Sequence, residues 1–217
     1  MDMYKIVKQN PLLAILRNIP LEMTLDYTDA IVAGGVRFFE VALNSPHALE
    51  QISLMRKKYG ESCLVGAGTA ITVARARDAL AAGAQFLLTP GTPLDVLEYC
   101  AGNDVLLLPG VLTPCDVATC LEFGFKTMKL FPAGAMPRSY VRDLQGPFDG
   151  THYMAIGGVT PDNIGEVFKQ PAAQRGGGAR RLAGSRGLCA RPGRQSPRLK
   201  AAAPLQKRAM LTGRPPR

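Results

Sequence analysis

What this chain lacks narrows its class first. No uninterrupted apolar run approaches the roughly 18 residues that a membrane span requires. The start, Met1-Asp2-Met3-Tyr4-Lys5, has no basic segment leading into an apolar one, so no secretory signal is expected. The five cysteines (Cys63, Cys100, Cys115, Cys120 and Cys189) form no Cys-x-x-Cys pair. An odd number without that spacing argues against a disulfide framework and against a structural zinc site. His47 and His152 have no metal-spaced partner, and no metal site is expected. The reading is a cytoplasmic protein without a membrane span.

Acidic residues are absent from one stretch in particular. Residues 171–217 hold 12 Lys and Arg but no Asp, Glu or aromatic residue, and 13 of their positions are Gly or Pro. Removing those 12 from the chain's 26 basic residues leaves 14 against 17 acidic ones in 1–170, a net of −3. The overall charge of +9 therefore belongs to the tail. Without interleaved aromatics or a recognisable motif, it implies no specific nucleic-acid partner.

What is present is a regular alternation. Apolar runs begin near Leu12, Val36, Cys63, Gln85, Asp104, Phe125 and His152. Their mean spacing is about 23 residues, the length of one strand plus one helix. A helix from Leu21 to Ala33 is expected to stop at Gly34-Gly35. Ser45-Pro46, Thr72, Thr92-Pro93, Thr113-Pro114 and Thr160-Pro161 read as helix starts, with a hydroxyl cap and often Pro at the first helical position. Nearly all-apolar strands must be covered on both faces, which calls for a parallel sheet wrapped in helices. No Gly-x-Gly-x-x-Gly follows the first strand, which disfavours a dinucleotide-binding sheet. Seven βα units favour an α/β (β/α)8 TIM-type barrel over an open sheet.

After Gln170 the alternation ends, and no apolar run there reads as an eighth strand. The expected organisation is a barrel over 1–170 lacking a normal eighth strand, followed by a basic Arg/Gly/Pro-rich tail over 171–217. The abrupt change in composition within a βα unit fits a disordered extension or a shifted reading frame.

Two charges sit inside otherwise apolar strands. Glu40 interrupts Val36–Leu43, and Lys129 interrupts Phe125–Phe131. Alternation places Phe38, Glu40 and Ala42 on one face, and Thr127, Lys129 and Phe131 on one face of the other strand. If those faces point inward, a carboxylate and an amine enter the barrel, either as a structural ion pair or as reactive groups. An amine in such a setting can attack a ketone to form a Schiff base, whose protonated imine is an electron sink. A neighbouring carboxylate can move the protons this chemistry requires. Gly157-Gly158 precedes a predicted helix start, where bare backbone N–H groups suit an anion. Thr69 and Arg17 fall at the ends of strands on the same rim, and Arg suits a carboxylate through paired hydrogen bonds.

Five stretches carry a family resemblance: Phe39-Glu40-Val41-Ala42-Leu43, Val65-Gly66-Ala67-Gly68-Thr69, Leu107-Leu108-Pro109-Gly110, Met128-Lys129-Leu130-Phe131-Pro132-Ala133 and Ile156-Gly157-Gly158-Val159. In this order and spacing they resemble the 2-keto-3-deoxy-6-phosphogluconate aldolases and their 6-phosphogalactonate-cleaving relatives. The resemblance implies a class I aldolase on a (β/α)8 barrel, a homotrimer that needs no metal or cofactor. It implies cleavage of a phosphorylated keto acid to pyruvate and glyceraldehyde 3-phosphate. Lys129 matches the Schiff-base lysine and Glu40 the acid/base carboxylate. Arg17 and Thr69 match substrate-carboxylate contacts, and the Gly157-Gly158 amides match half of a phosphate site. Leu43-Asn44-Ser45-Pro46 departs from the Leu-Arg-Thr of the gluconate branch and looks more like the galactonate branch. The Gly-Ser that ends the family's eighth strand has no counterpart in context, because Gly184-Ser185 lies among arginines.

Two other functions fit the same residues. One is a phosphosugar isomerase or epimerase with Glu40 as base and no covalent step. The other is an inactive, truncated barrel whose basic tail binds nucleic acid by Coulombic attraction.

Overall fold

The computed structural model describes residues 2–160 and 162–164, together with the backbone of one short strand at 187–190. The expectations of disorder or a shifted frame over 171–217 otherwise lie outside the described residues.

Seven apolar runs give the strands β1 (Leu13–Leu16), β2 (Phe38–Ala42), β3 (Leu64–Gly68), β4 (Leu87–Leu88), β5 (Leu107–Leu108) with β6 (Gly110–Val111), β7 (Thr127–Leu130) and β8 (His152–Ala155). The fifth run is split at Pro109. Its carbonyl still accepts from the Lys129 N–H at 2.8 Å, so the run leaves β4 and continues beside β7. Proline has no N–H to give a ladder, which is why the pairing changes side there. All strand pairs among the described residues are parallel, in the orders β5-β4-β3-β2-β1-β9, where β9 is Gly187–Ala190, and β6-β7-β8. Helices α2 (Thr24–Ala33), α3 (Ala48–Tyr59), α4 (Val73–Ala81), α5 (Leu94–Gly102), α6 (Pro114–Glu122) and α7 (Tyr140–Gln145) follow the strands, as a (β/α) barrel requires.

After Gln170, where the sequence offers no normal eighth strand, one short strand is described. β9 (Gly187–Ala190) runs parallel to β1, from Leu13↔Gly187 to Leu16↔Ala190. The edge of β1 offers backbone donors and acceptors, and four residues suffice to pair with it whatever the flanking composition. Among the described residues no ladder joins β9 to β8.

The strands separate two apolar layers. Phe39, Val41, Val65, Ala67, Met128 and Leu130 pack outward against the helices. Leu13, Phe38, Phe86, Leu88, Leu108, Met154 and Ile156 fill the interior. Helix α1 (Met3–Gln9) adds Met3, Ile6 and Val7 to that interior and closes the end where the strands begin. Its spacing of i, i+3 and i+4 is the signature of one buried helical face. The opposite rim, where the strands finish, carries the loops that lead into the helices.

The local start signals succeed where their hydroxyls stay local. Thr72 caps α4 by accepting from the Arg75 N–H at 3.3 Å. Thr113 opens α6 with Pro114 at the first position and a reciprocal capping box with Asp116. Gly34 and Gly35, the latter at φ +94°, end α2 as expected. Ser45-Pro46 does not start α3, which begins at Ala48 after His47. The Ser45 hydroxyl instead accepts from the Asn18 N–H at 2.9 Å, fastening the loop after β1 to the loop after β2. Thr92 likewise turns to Asp116 rather than capping α5.

Candidate active site

Glu40 stands in the middle of β2, between Ile15 of β1 and Gly66 of β3. Lys129 stands in β7 between Gly110 of β6 and Met154 of β8. Because Phe38 and Met154 point to the interior, the side-chain alternation brings both charges inward as expected. Glu40 is 1% exposed and Lys129 is 5% exposed, and Glu40 Oε2 lies 3.9 Å from Lys129 Nζ. That separation is an ion pair without a hydrogen bond, and Oε2 has no hydrogen-bond partner among the described residues. A buried carboxylate oxygen left in this state is free to exchange protons with whatever enters beside the amine.

The carboxylate has room because β3 is bare at Gly68. A Cβ at Gly68 would lie 1.8 Å from Glu40 Oε1 and 2.3 Å from its carboxyl carbon. Gly68 is thus a seat for the glutamate, a requirement that a strand-to-helix turn alone does not explain. The amine lies over the ring of Phe131, 5.1 Å from its centroid.

The other expected residues gather at the same rim by virtue of the parallel strands. Arg17 follows β1, half-buried, and no carboxylate among the described residues pairs with it. Thr69 follows β3 at φ +61°, and its hydroxyl donates to Asn44 Oδ1 at 3.4 Å. Gly157 and Gly158 follow β8 at φ +86° and +74°. Their carbonyls accept from the Gly134 N–H and from Asn163 Nδ2, each at 2.8 Å. The Gly157 and Gly158 amides donate to no partner among the described residues. The predicted start at Thr160 is held by Asn163, whose Oδ1 accepts from the Thr160 N–H at 2.8 Å, while Pro161 lies outside the described residues.

A cavity of about 440 Å³ lies elsewhere, at the closed end, lined by Tyr4, Lys126 and His152 among others. The strands' N-terminal ends frame it, so it belongs to the packing of α1 rather than to the Glu40–Lys129 pair. Among the described residues, no group of three or more His, Cys, Asp or Glu is placed to hold a metal ion.

The family model for KDPG and KHG aldolases matches residues 3–186. The chain belongs to that family. It is 34% identical over 172 residues to the 2-dehydro-3-deoxy-6-phosphogalactonate aldolase of Escherichia coli K12, covering 78% of this chain and 83% of that one. It is 33% identical over 151 residues to the 2-dehydro-3-deoxy-phosphogluconate aldolase of Treponema pallidum strain Nichols, covering 69% and 71%. The fold is similar to the crystal structure of the 2-keto-3-deoxy-6-phosphogluconate aldolase of Zymomonas mobilis ZM4 with 3-phosphoglycerate. That likeness has a TM-score of 0.81 at 25% identity and covers 98% and 97% of the two chains. Family membership makes this chain a carbon–carbon lyase on a TIM-type barrel.

Three contributors to the site escaped the reading of the sequence: Gly68 as the seat of the carboxylate, Asn44 as the partner of Thr69, and Phe131 beside the amine. Gly68 and Asn44 act across strands, so no local pattern announces them. Phe131 carried a signal, since it lies two residues from Lys129 on the same strand face.

Proposed function

We propose that this aldolase cleaves a 2-keto-3-deoxy-6-phosphosugar acid to pyruvate and glyceraldehyde 3-phosphate, with Lys129 as the Schiff-base residue and Glu40 as the proton carrier. The observation that carries the assignment is the buried pair itself, Nζ 3.9 Å from a carboxylate oxygen with no other partner among the described residues. Lys129 attacks the C2 ketone, and the carbinolamine loses water as Glu40 supplies and recovers protons. Glu40 then takes the proton of the C4 hydroxyl. The C3–C4 bond breaks, its electrons flow into the iminium to give an enamine, and the aldehyde departs. Protonation at C3 and hydrolysis return pyruvate and the free amine.

Arg17 and Thr69 are assigned to the substrate carboxylate, and the Gly157 and Gly158 amides to its phosphate. Arg17 gains weight because Ser45 and Asn44, which stand where the gluconate branch has Arg-Thr, already bond to Asn18 and Thr69. The Arg17 guanidinium, which pairs with no carboxylate among the described residues, is then the cation assigned there. A charged phosphosugar acid does not cross membranes unaided, which suits a cytoplasmic enzyme. A homotrimer fits the apolar side chains left exposed on one chain, among them Leu94 at 60% and Ile71 at 41%.

The test is an assay of pyruvate release from both C4 epimers, using the 217-residue protein and its Arg17→Ala variant. Turnover of either epimer, lost mainly as a rise in KM in Arg17→Ala, supports the assignments. Release from neither epimer by folded protein refutes the substrate class.

A further inference from the structure

We propose that Phe131 is a positioning residue for the reactive amine, its ring face holding the cationic forms of Lys129 in place at the rim. The inference rests on the reading of Lys129 as the imine-forming residue. Nζ lies over the ring at 5.1 Å from the centroid, within the roughly 6 Å over which the negative face of a benzene ring attracts a cation. Backbone packs closely against the ring. A Cβ at Gly157 would stand 3.0 Å from Phe131 Cδ2 and Cε2 and 3.3 Å from Pro132 Cα, so the ring lies directly against bare glycine. Gly157 at φ +86° holds a conformation that side-chain-bearing residues rarely adopt, which keeps that support free of a side chain. Phe131 is also 37% exposed, so its ring can be reached from the rim.

The electrostatics give the ring a distinct task. The only charged group in ion-pair range of Nζ among the described residues is Glu40, from β2. The register neighbours on β6 and β8, Gly110 and Met154, bring no charge. Glu40 must change its own protonation during the reaction, and when it is protonated its attraction for the nitrogen largely disappears. The ring's attraction does not depend on where the proton is. It acts on the ammonium and the iminium but not on the neutral carbinolamine, so it favours loss of water to the iminium.

The experiment replaces Phe131 in the full chain by mono-, di- and trifluorophenylalanine and by cyclohexylalanine, which keep the shape while weakening or removing the ring's negative face. Phe131→Tyr is the conservative control. The readout is the pyruvate concentration giving half-maximal borohydride trapping on Lys129, taken on the alkaline side of the pH profile, where the free amine is neutral and only the iminium carries charge. The expected result is a stepwise rise along the fluorinated series, reaching about fivefold in the cyclohexylalanine protein, with Phe131→Tyr close to wild type. A flat series in a protein that traps normally overturns this inference alone, because a space-filling role is blind to fluorination. Absence of any Lys129 adduct in the wild type overturns the Schiff-base reading and this inference together.

Discussion

The carboxylate and the amine come from different halves of the barrel and are held by different means. Glu40 belongs to the six-stranded half and rests on Gly68, where no side chain competes for its space. Lys129 belongs to the three-stranded half and carries its nitrogen at the end of a flexible stem, over the ring of Phe131. The proposed proton carrier is set against backbone, and the amine proposed to form the imine keeps torsional freedom. Removing the anchor should therefore harm Glu40 through packing, whereas changing Lys129 should harm chemistry without harming the fold.

The largest expected effect is at Lys129. Lys129→Met keeps an apolar stem of similar length, so turnover should fall to background while the thermal midpoint holds, as read by enzyme assay and circular dichroism. Next comes Glu40→Gln, expected to slow turnover by about 10²–10⁴ while still permitting imine trapping with pyruvate. Full turnover in Glu40→Gln would remove the carboxylate from the comparison. Gly68→Ala should displace the same carboxylate by packing alone, at about 1–3 kcal/mol in denaturant unfolding and with a loss of turnover in the direction of Glu40→Gln. An alanine protein with unaltered stability would mean that the seat is softer than its geometry implies.

The smallest effect concerns neither charge and calibrates the others. Burial pushes the Asp116 carboxyl up, but the Thr113 and Leu112 N–H groups and the Thr113 and Thr92 hydroxyls outweigh it and hold the carboxyl below its ordinary value. A depressed carboxyl contributes stability above its unfolded value of 3.8, and that contribution fades as pH falls through the lower folded value. Thr113→Ala should remove about 1 kcal/mol at neutral pH, measured by urea unfolding, and less below pH 4. Turnover should be unchanged.

These residues also mark how far the sequence could be read. The seven apolar runs, the inward placement of Glu40 and Lys129, and the Thr113-Pro114 start were legible because each depends on spacing within a few residues. Ser45 misled as a cap because its hydroxyl meets Asn18, 27 residues away. Helix α1 left a legible trace in Met3, Ile6 and Val7 after the Asp2 cap, yet so short an amphipathic segment looks like an ordinary terminus. The pairing of β9 with β1 depends on backbone hydrogen bonds, to which hydrophobic patterning is blind. The seat at Gly68 is a contact between strands, and only the fold brings it together.

The central claim is that Lys129 is the covalent residue and that Glu40 serves it. Incubating the 217-residue protein with pyruvate and borohydride, then locating the added mass by peptide mass spectrometry, tests it most directly. The account predicts one adduct, on Lys129, absent from Lys129→Met and retained in Glu40→Gln. A folded protein that gives no adduct, or one spread over its surface lysines, would contradict it.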